Sequence, residues 1–193
     1  MINFYIDEFL YLKKYKNIKK FLINRKFDKC ESIQLNLVHM SDNNQIFYEN
    51  IHLHERFQEK GKNVMKNKNN TICFVKTITR GHLQNITINQ NHVLSQKLKA
   101  CNGFGGKSQV YKILSLHPDY KFNFVRHYYT KSVQEFIEKI DRGDLLRGNK
   151  KKVIECEKFF MINEITFDKI VYIRKHLGKK YDLTNYINNY VEK

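Results

Sequence analysis

The stretch "FNFVRHYYTKSVQEFIEKIDRG", residues 122–143, decides the fold, because its periodicity changes part-way along. The opening residues are aromatic or branched, which predicts a strand over 122–129. Ser132 then stands three residues before Glu135, the spacing at which a hydroxyl and a carboxylate cap a helix start reciprocally. Val133, Phe136, Ile137 and Ile140 recur at i, i+3, i+4 and i+7, so the helix expected over 132–141 carries one apolar stripe for docking on a sheet. Gly143 follows the last periodic residue, where a helix end favours glycine. A strand leading into a one-faced helix predicts an α/β protein with a mixed sheet and flanking helices.

The rest of the chain extends that pattern. "SIQLNLV", residues 32–38, alternates as a strand does, and "TICFVKTI", residues 71–78, reads as a buried one. "NITI", residues 85–88, is a further strand candidate, and "SDNNQ", residues 41–45, has turn chemistry. Near the start, residues 2–6 read as a strand that breaks on Asp7-Glu8, and residues 16–22 as a short helix. Residues 60–70 read as a solvated basic loop. "CNGFGGKSQ", residues 101–109, has glycines before Lys-Ser but lacks the G-x-x-x-x-G-K-[ST] spacing of a P-loop, so it reads as a flexible loop. A basic linker at 147–152 leads to two amphipathic helices expected near 164–177 and 183–191. This divides the chain into a main domain, 1–148, and a helical C-terminal extension, 149–193.

Composition narrows the partners. The 193 residues suffice for one sizeable core, and 41% apolar with 28% charged residues is ordinary for a soluble globular chain. Thirty-five Lys and Arg against 19 Asp and Glu give a net charge of +16, which favours anionic partners such as nucleotide phosphates. Richness in Asn, Lys, Ile and Tyr also matches AT-rich coding, which raises Lys without any ligand. The aromatic residues fall mostly inside periodic segments, where core packing explains them better than base stacking, so no nucleic acid is expected. Cys30, Cys73, Cys101 and Cys156 show no C-x-x-C spacing; a zinc site is not expected and nothing requires a disulfide. No leader or apolar run of about 18 residues is visible, so no transmembrane segment is expected and the default compartment is cytoplasmic.

Four places hold residues with chemical potential. Asp7-Glu8 offers carboxylate oxygens to a hard divalent cation, though an acidic pair is also a common turn or helix cap. His127 ends the aromatic strand, and His92 lies in "INQNHVL"; each is either a histidine bonded to backbone or a metal ligand. Glu55-Arg56-Phe57 adds a carboxylate and a guanidinium, read either as phosphate-binding or as an exposed ion pair. No nucleophilic triad emerges.

Together these stretches resemble the C-terminal half of glycosyltransferases of family 92 and their family 2-like relatives, which have the GT-A fold. The family's Asp-x-Asp-Glu-Phe is matched by Tyr5-Ile6-Asp7-Glu8-Phe9, and its Glu-Arg-Phe by Glu55-Arg56-Phe57. Its Lys-x-Ile-x-Arg strand is matched by Lys76-Thr77-Ile78-Thr79-Arg80, with His92 after it. The longest match is His-Tyr-x-Thr-Lys-Ser-x-x-Glu-Phe ending in Arg-Gly, carried by His127, Tyr128, Thr130, Lys131, Ser132, Glu135, Phe136, Arg142 and Gly143.

The resemblance implies transfer of a hexose from a nucleotide-sugar donor to a glycan acceptor. Asp7 and His127 would hold Mn²⁺ against the donor diphosphate, with Lys131 and Arg142 adding positive charge. Asp42 or Glu55 would take the acceptor hydroxyl's proton in an inverting displacement. Two departures stand out. Tyr5 replaces the first carboxylate of the metal motif, and the family's nucleotide-binding half has no counterpart before Met1, which suggests a truncated enzyme or a separate N-terminal half. The alternatives are a non-catalytic remnant or partner subunit of a split glycosyltransferase, and a basic nucleic-acid-binding protein.

Overall fold

Alternating residues find partners where the pattern predicts strands, and the computed structural model places them in a mixed, open sheet with flanking helices. It describes residues 2, 4–62, 65–67, 70–83, 88–89, 92–93, 98–108, 110–111, 114–115, 118–143 and 148–178. The chain divides into two compact units, Met1–Val38 with Met65–His127 and His39–Val64 with Tyr128–Lys193. The units are therefore interleaved in sequence, and their boundaries differ from the expected division at 148/149.

The first unit holds the sheet. Its described strands are β1 (Glu8–Leu12), β2 (Ser32–His39), β3 (Met65–Asn67), β4 (Asn70–Thr79), β5 (Ile88–Asn89), β6 (His92–Val93), β7 (Ala100–Asn102), β8 (Val110–Tyr111), β9 (Leu114–Ser115) and β10 (Asn123–His127). The main order is β1-β10-β2-β4-β9-β8, with β3 on β4 and β7 on β2; β5 and β6 form a separate pair. The β2–β7 pairing is parallel while β1–β10 and β2–β4 are antiparallel, which makes the sheet mixed. The strand expected over 2–6 lies instead at β1, which starts at Glu8. Ile2 makes only an isolated bridge to Ile78, whereas Phe9 to Leu12 find a full partner in β10. The basic loop expected over 60–70 contains β3 and the start of β4. Residues 85–87 of the expected 85–88 strand lie outside the described residues.

One face of this sheet is covered by α1 (Ile18–Leu22), capped by Asn17, and by a short 3-10 turn at Arg25–Phe27. Phe21, Phe27, Ile33, Leu35, Ile78 and Val125 form the core there. Cys30 and Cys101 are joined by a disulfide across a separation of 71 residues, a link that spacing alone did not announce. Such bonds persist where thiols are oxidised. Arg80 fastens the same corner, its guanidinium donating to the carbonyls of Phe27, Asp28 and Cys30.

Helices α2 (Leu53–Arg56), α3 (Val133–Arg142), α4 (Gly148–Ile162) and α5 (Phe167–Leu177) belong to the second unit. The capping box forms as the spacing predicts, with Ser132 Oγ accepting from Glu135 N and the Glu135 carboxylate accepting from Ser132 N. Gly143 has φ 76°, a value that favours glycine, but its extended ψ differs from a left-handed helical end. Val133, Phe136, Ile137 and Ile140 pack with Phe159, Phe160, Ile170, Ile173 and Leu177 in one cluster. The α4 and α5 segments are thus part of this core, and the expected linker at 147–152 lies almost wholly within α4. The helix expected over 183–191 lies outside the described residues.

The two remaining thiols are buried, and burial pushes Cys73 up to about 11 and Cys156 up to about 12. Native protein at pH 8 is therefore expected to react negligibly with a thiol-specific chromogenic reagent, since thiolate is the reactive form. Two thiols should appear on unfolding and all four only after reduction. Rapid reaction of the native protein would contradict the burial of these side chains.

Candidate functional site

The segment before β1 folds into a turn held at both ends by Glu8. Glu8 N donates to Tyr5 O at 3.0 Å, and the Glu8 carboxylate accepts from Tyr5 N at 2.9 Å. The sequence reading treated Asp7-Glu8 as the end of a strand; the pair instead closes a turn and begins one. At the turn's tip Ile6 is almost fully exposed and Asp7 is partly exposed.

The antiparallel register sets Glu8 opposite His127. The pairing brings Asp7 Oδ2 within 3.5 Å of His127 Nε2, and both side chains retain some exposure. Glu8 is different: its carboxylate lies 2.9 Å from Lys76 Nζ, and both side chains are buried. The Lys76 ammonium also sits 4.5 Å from the centroid of the Tyr5 ring. The local electrostatics therefore combine a balanced buried pair, Glu8 with Lys76, and a more accessible carboxylate beside an imidazole.

A second pairing of distant segments lies in the other unit. Arg56 Nη2 donates to Glu135 Oε2 at 2.7 Å, and Arg56 Nε donates to Gln45 Oε1 at 3.3 Å. The guanidinium also lies over the rings of Phe57 and Tyr48, at 4.6 and 5.1 Å from their centroids. Arg56 is only 4% exposed, so this is a buried structural pair where the sequence favoured an exposed one.

No family model, curated protein or solved structure matches the chain. The chemistry therefore has to be read from the residues themselves.

Asp7 and His127 are brought together in the first unit; Asp42, Glu55, Lys131 and Arg142 all belong to the second. Asp42 does not suit the role of base. It is 1% exposed, and Lys169 Nζ sits 2.7 Å from Oδ2 and 2.9 Å from Oδ1. Lys169 also donates to Asn44 Oδ1 and Glu164 O, both at 2.7 Å, so the carboxylate is enclosed in a structural network. Burial raises the Asp42 carboxyl above its usual 3.8 although Lys169 pulls it down. Glu55 is half exposed on α2 with His54 3.7 Å away. Lys131 has φ 56° immediately before the Ser132 cap, and Arg142 is exposed in the last turn of α3, where a cation complements the helix dipole. His92 lies in β6. Among the described residues no group of three His, Cys, Asp or Glu is arranged for a metal. Sequence reading did not foresee Lys76 or Lys169 as partners; each is a buried lysine, unusual enough to demand a counter-charge, but only the fold reveals burial.

Proposed function

We propose that the chain is a glycosyltransferase-like protein with a reduced metal site, derived from enzymes that move a hexose from a nucleotide-sugar to a glycan acceptor. The observation that carries this reading is the β1–β10 register, which sets Asp7 beside His127. Further support comes from the way the resembling motifs meet: Glu8 with Lys76, and Arg56 with Glu135. The mixed sheet with flanking helices is compatible with the C-terminal half of a GT-A fold.

The donor set fits two ligands of a divalent cation. A separation of 3.5 Å matches two ligand atoms with bonds of about 2.1 Å and an angle of about 110° between them. A cation there would supply positive charge against a donor diphosphate. Asp7 offers one anionic oxygen and His127 one imidazole nitrogen, while Tyr5 stands at the motif position of a second carboxylate. One anionic ligand fewer weakens the hold on a hard cation. Of the two expected bases, Glu55 is the more accessible. Tyr5 also favours a second reading, a remnant or partner subunit with the same fold and little turnover.

Calorimetric titration with UDP and Mn²⁺, followed by transfer assays with UDP- and GDP-sugars, tests both readings. The purified chain is expected to bind donor weakly and transfer little sugar. Tyr5→Asp should tighten Mn²⁺ binding by about tenfold, and Asp7→Ala or His127→Ala should abolish it. Micromolar donor affinity with measurable turnover would overturn the reduced-site reading. Mn²⁺ binding that ignores Asp7 and His127 would overturn the metal role.

A further inference from the structure

At the other end of β10 from His127, a cleft of about 280 Å³ opens beside Asn123. Four residue steps of strand separate the two ends, about 13 Å. Alternation along β2 turns Ile33, Leu35 and Leu37 into the core and leaves Gln34 and Asn36 to line this cleft. Strand β7 supplies Asn102, the turn after it Phe104, and β9 Ser115.

Each carboxamide in the cleft has one end fixed by the fold. Gln34 Oε1 accepts from Ser108 Oγ, and Asn36 Nδ2 donates to Asp119 O at 3.0 Å. Asn102 Oδ1 accepts from Phe104 N and Gly106 N at 3.0 and 3.1 Å. Asn123 is 3% exposed, and its Nδ2 donates to Gly103 O at 2.8 Å. Among the described residues the buried Asn123 Oδ1 has no hydrogen-bond partner, while Gln34 Nε2 and Asn102 Nδ2 as donors and Asn36 Oδ1 as acceptor belong to side chains that keep some exposure. A buried polar atom left without a partner is unfavourable, so such atoms are normally satisfied.

Donors and acceptors held on rigid elements match a ligand whose groups both donate and accept, as hydroxyls do. The cleft is small, just under the ~300 Å³ at which pockets for drug-sized ligands begin, so it suits one ring. Among the described residues Lys107 is the one cation lining it, too little for a phosphate cluster, and Asp119 Oδ1 already accepts from Lys121 N. A nucleobase would call for flat apolar walls, but among the described residues the cleft has one aromatic ring, Phe104, packed edge-on against Phe122.

We propose that this cleft binds a single neutral saccharide ring through the carboxamides of Gln34, Asn36, Asn102 and Asn123. The site is separate from Asp7 and His127 and does not depend on the transferase reading.

The test uses the full 193-residue chain with free glucose, galactose, mannose and N-acetylglucosamine as probes and uridine as the nucleoside comparison. Saturation-transfer NMR is expected to show contact with at least one sugar. The same sugar should shift the side-chain amide resonances of Gln34, Asn36, Asn102 and Asn123. Gln34→Ala should weaken binding by about tenfold, while Asp7→Ala leaves it unchanged. The amide shifts in the wild-type chain decide the matter even if Gln34→Ala fails to fold. Contact with none of the four sugars, uridine in their place, or shifts confined to other residues would overturn the proposal. Loss of binding in Asp7→Ala would place the sugar at the other site and overturn it as well.

Discussion

Replacing Lys169 by Ala is expected to lower stability by about 3–5 kcal/mol, because it strands the buried Asp42 carboxylate without its counter-charge. Both side chains of the pair are only 1% exposed, so water cannot take the place of the ammonium. Urea unfolding at pH 7 measures the loss. The pH dependence identifies its cause. Burial holds the folded Asp42 carboxyl above 3.8, so the folded state binds that proton more tightly than the unfolded chain. Stability contributed by this group therefore rises as pH falls from the folded value toward 3.8. In the variant the lowering pull of Lys169 is gone, the carboxyl rises further, and the deficit should shrink on acidification. The double variant Lys169→Met with Asp42→Leu should recover most of the loss, since apolar pairs often replace buried ion pairs without penalty. A deficit below about 1 kcal/mol, the range of surface pairs, would mean that this pair is not buried in solution.

Truncating Phe136 to Ala should cost about 3–5 kcal/mol, the range for deleting a buried aromatic ring. Phe136 is 1% exposed, and its ring centroid lies 4.4 Å from that of Phe159. Its neighbours come from α4 and α5 as well as α3, so the cavity would loosen three helices together. Phe136→Leu should recover much of the loss by refilling the space, as urea unfolding would show. A near-neutral Phe136→Ala would sink the assignment of α3's stripe to the core.

Local patterns read best. The capping box, the α3 stripe, the alternation of β2 and the apolar run of β4 depend on residues a few positions apart, and the structure reproduces them within a residue or two. The turn over 41–45 is equally local: Asn43 and Asn44 adopt positive φ, and Asp42 Oδ1 accepts from Asn44 N. The Asp7-Glu8 region misled because an apolar run stands on either side of it. Periodicity cannot say which run finds a partner strand. The choice fell to β10, whose residues lie more than a hundred positions away.

The sequence by itself determined the elements with short-range signals and the α/β class; the pairing of Asp7 with His127 came only as what the family resemblance implies. Tertiary structure decided the rest. Only the β1–β10 register could set Asp7 beside His127, and only burial could make partners of Glu8 with Lys76, Asp42 with Lys169 and Arg56 with Glu135. Cys30 and Cys101 likewise meet because strand β7 lies parallel to β2, a contact that no spacing rule contains. The physical reason is common to all of these. Helix caps and alternation arise from the geometry of the chain over a few residues, whereas a buried charge or thiol acquires its partner only when the whole sheet or helix cluster has closed around it.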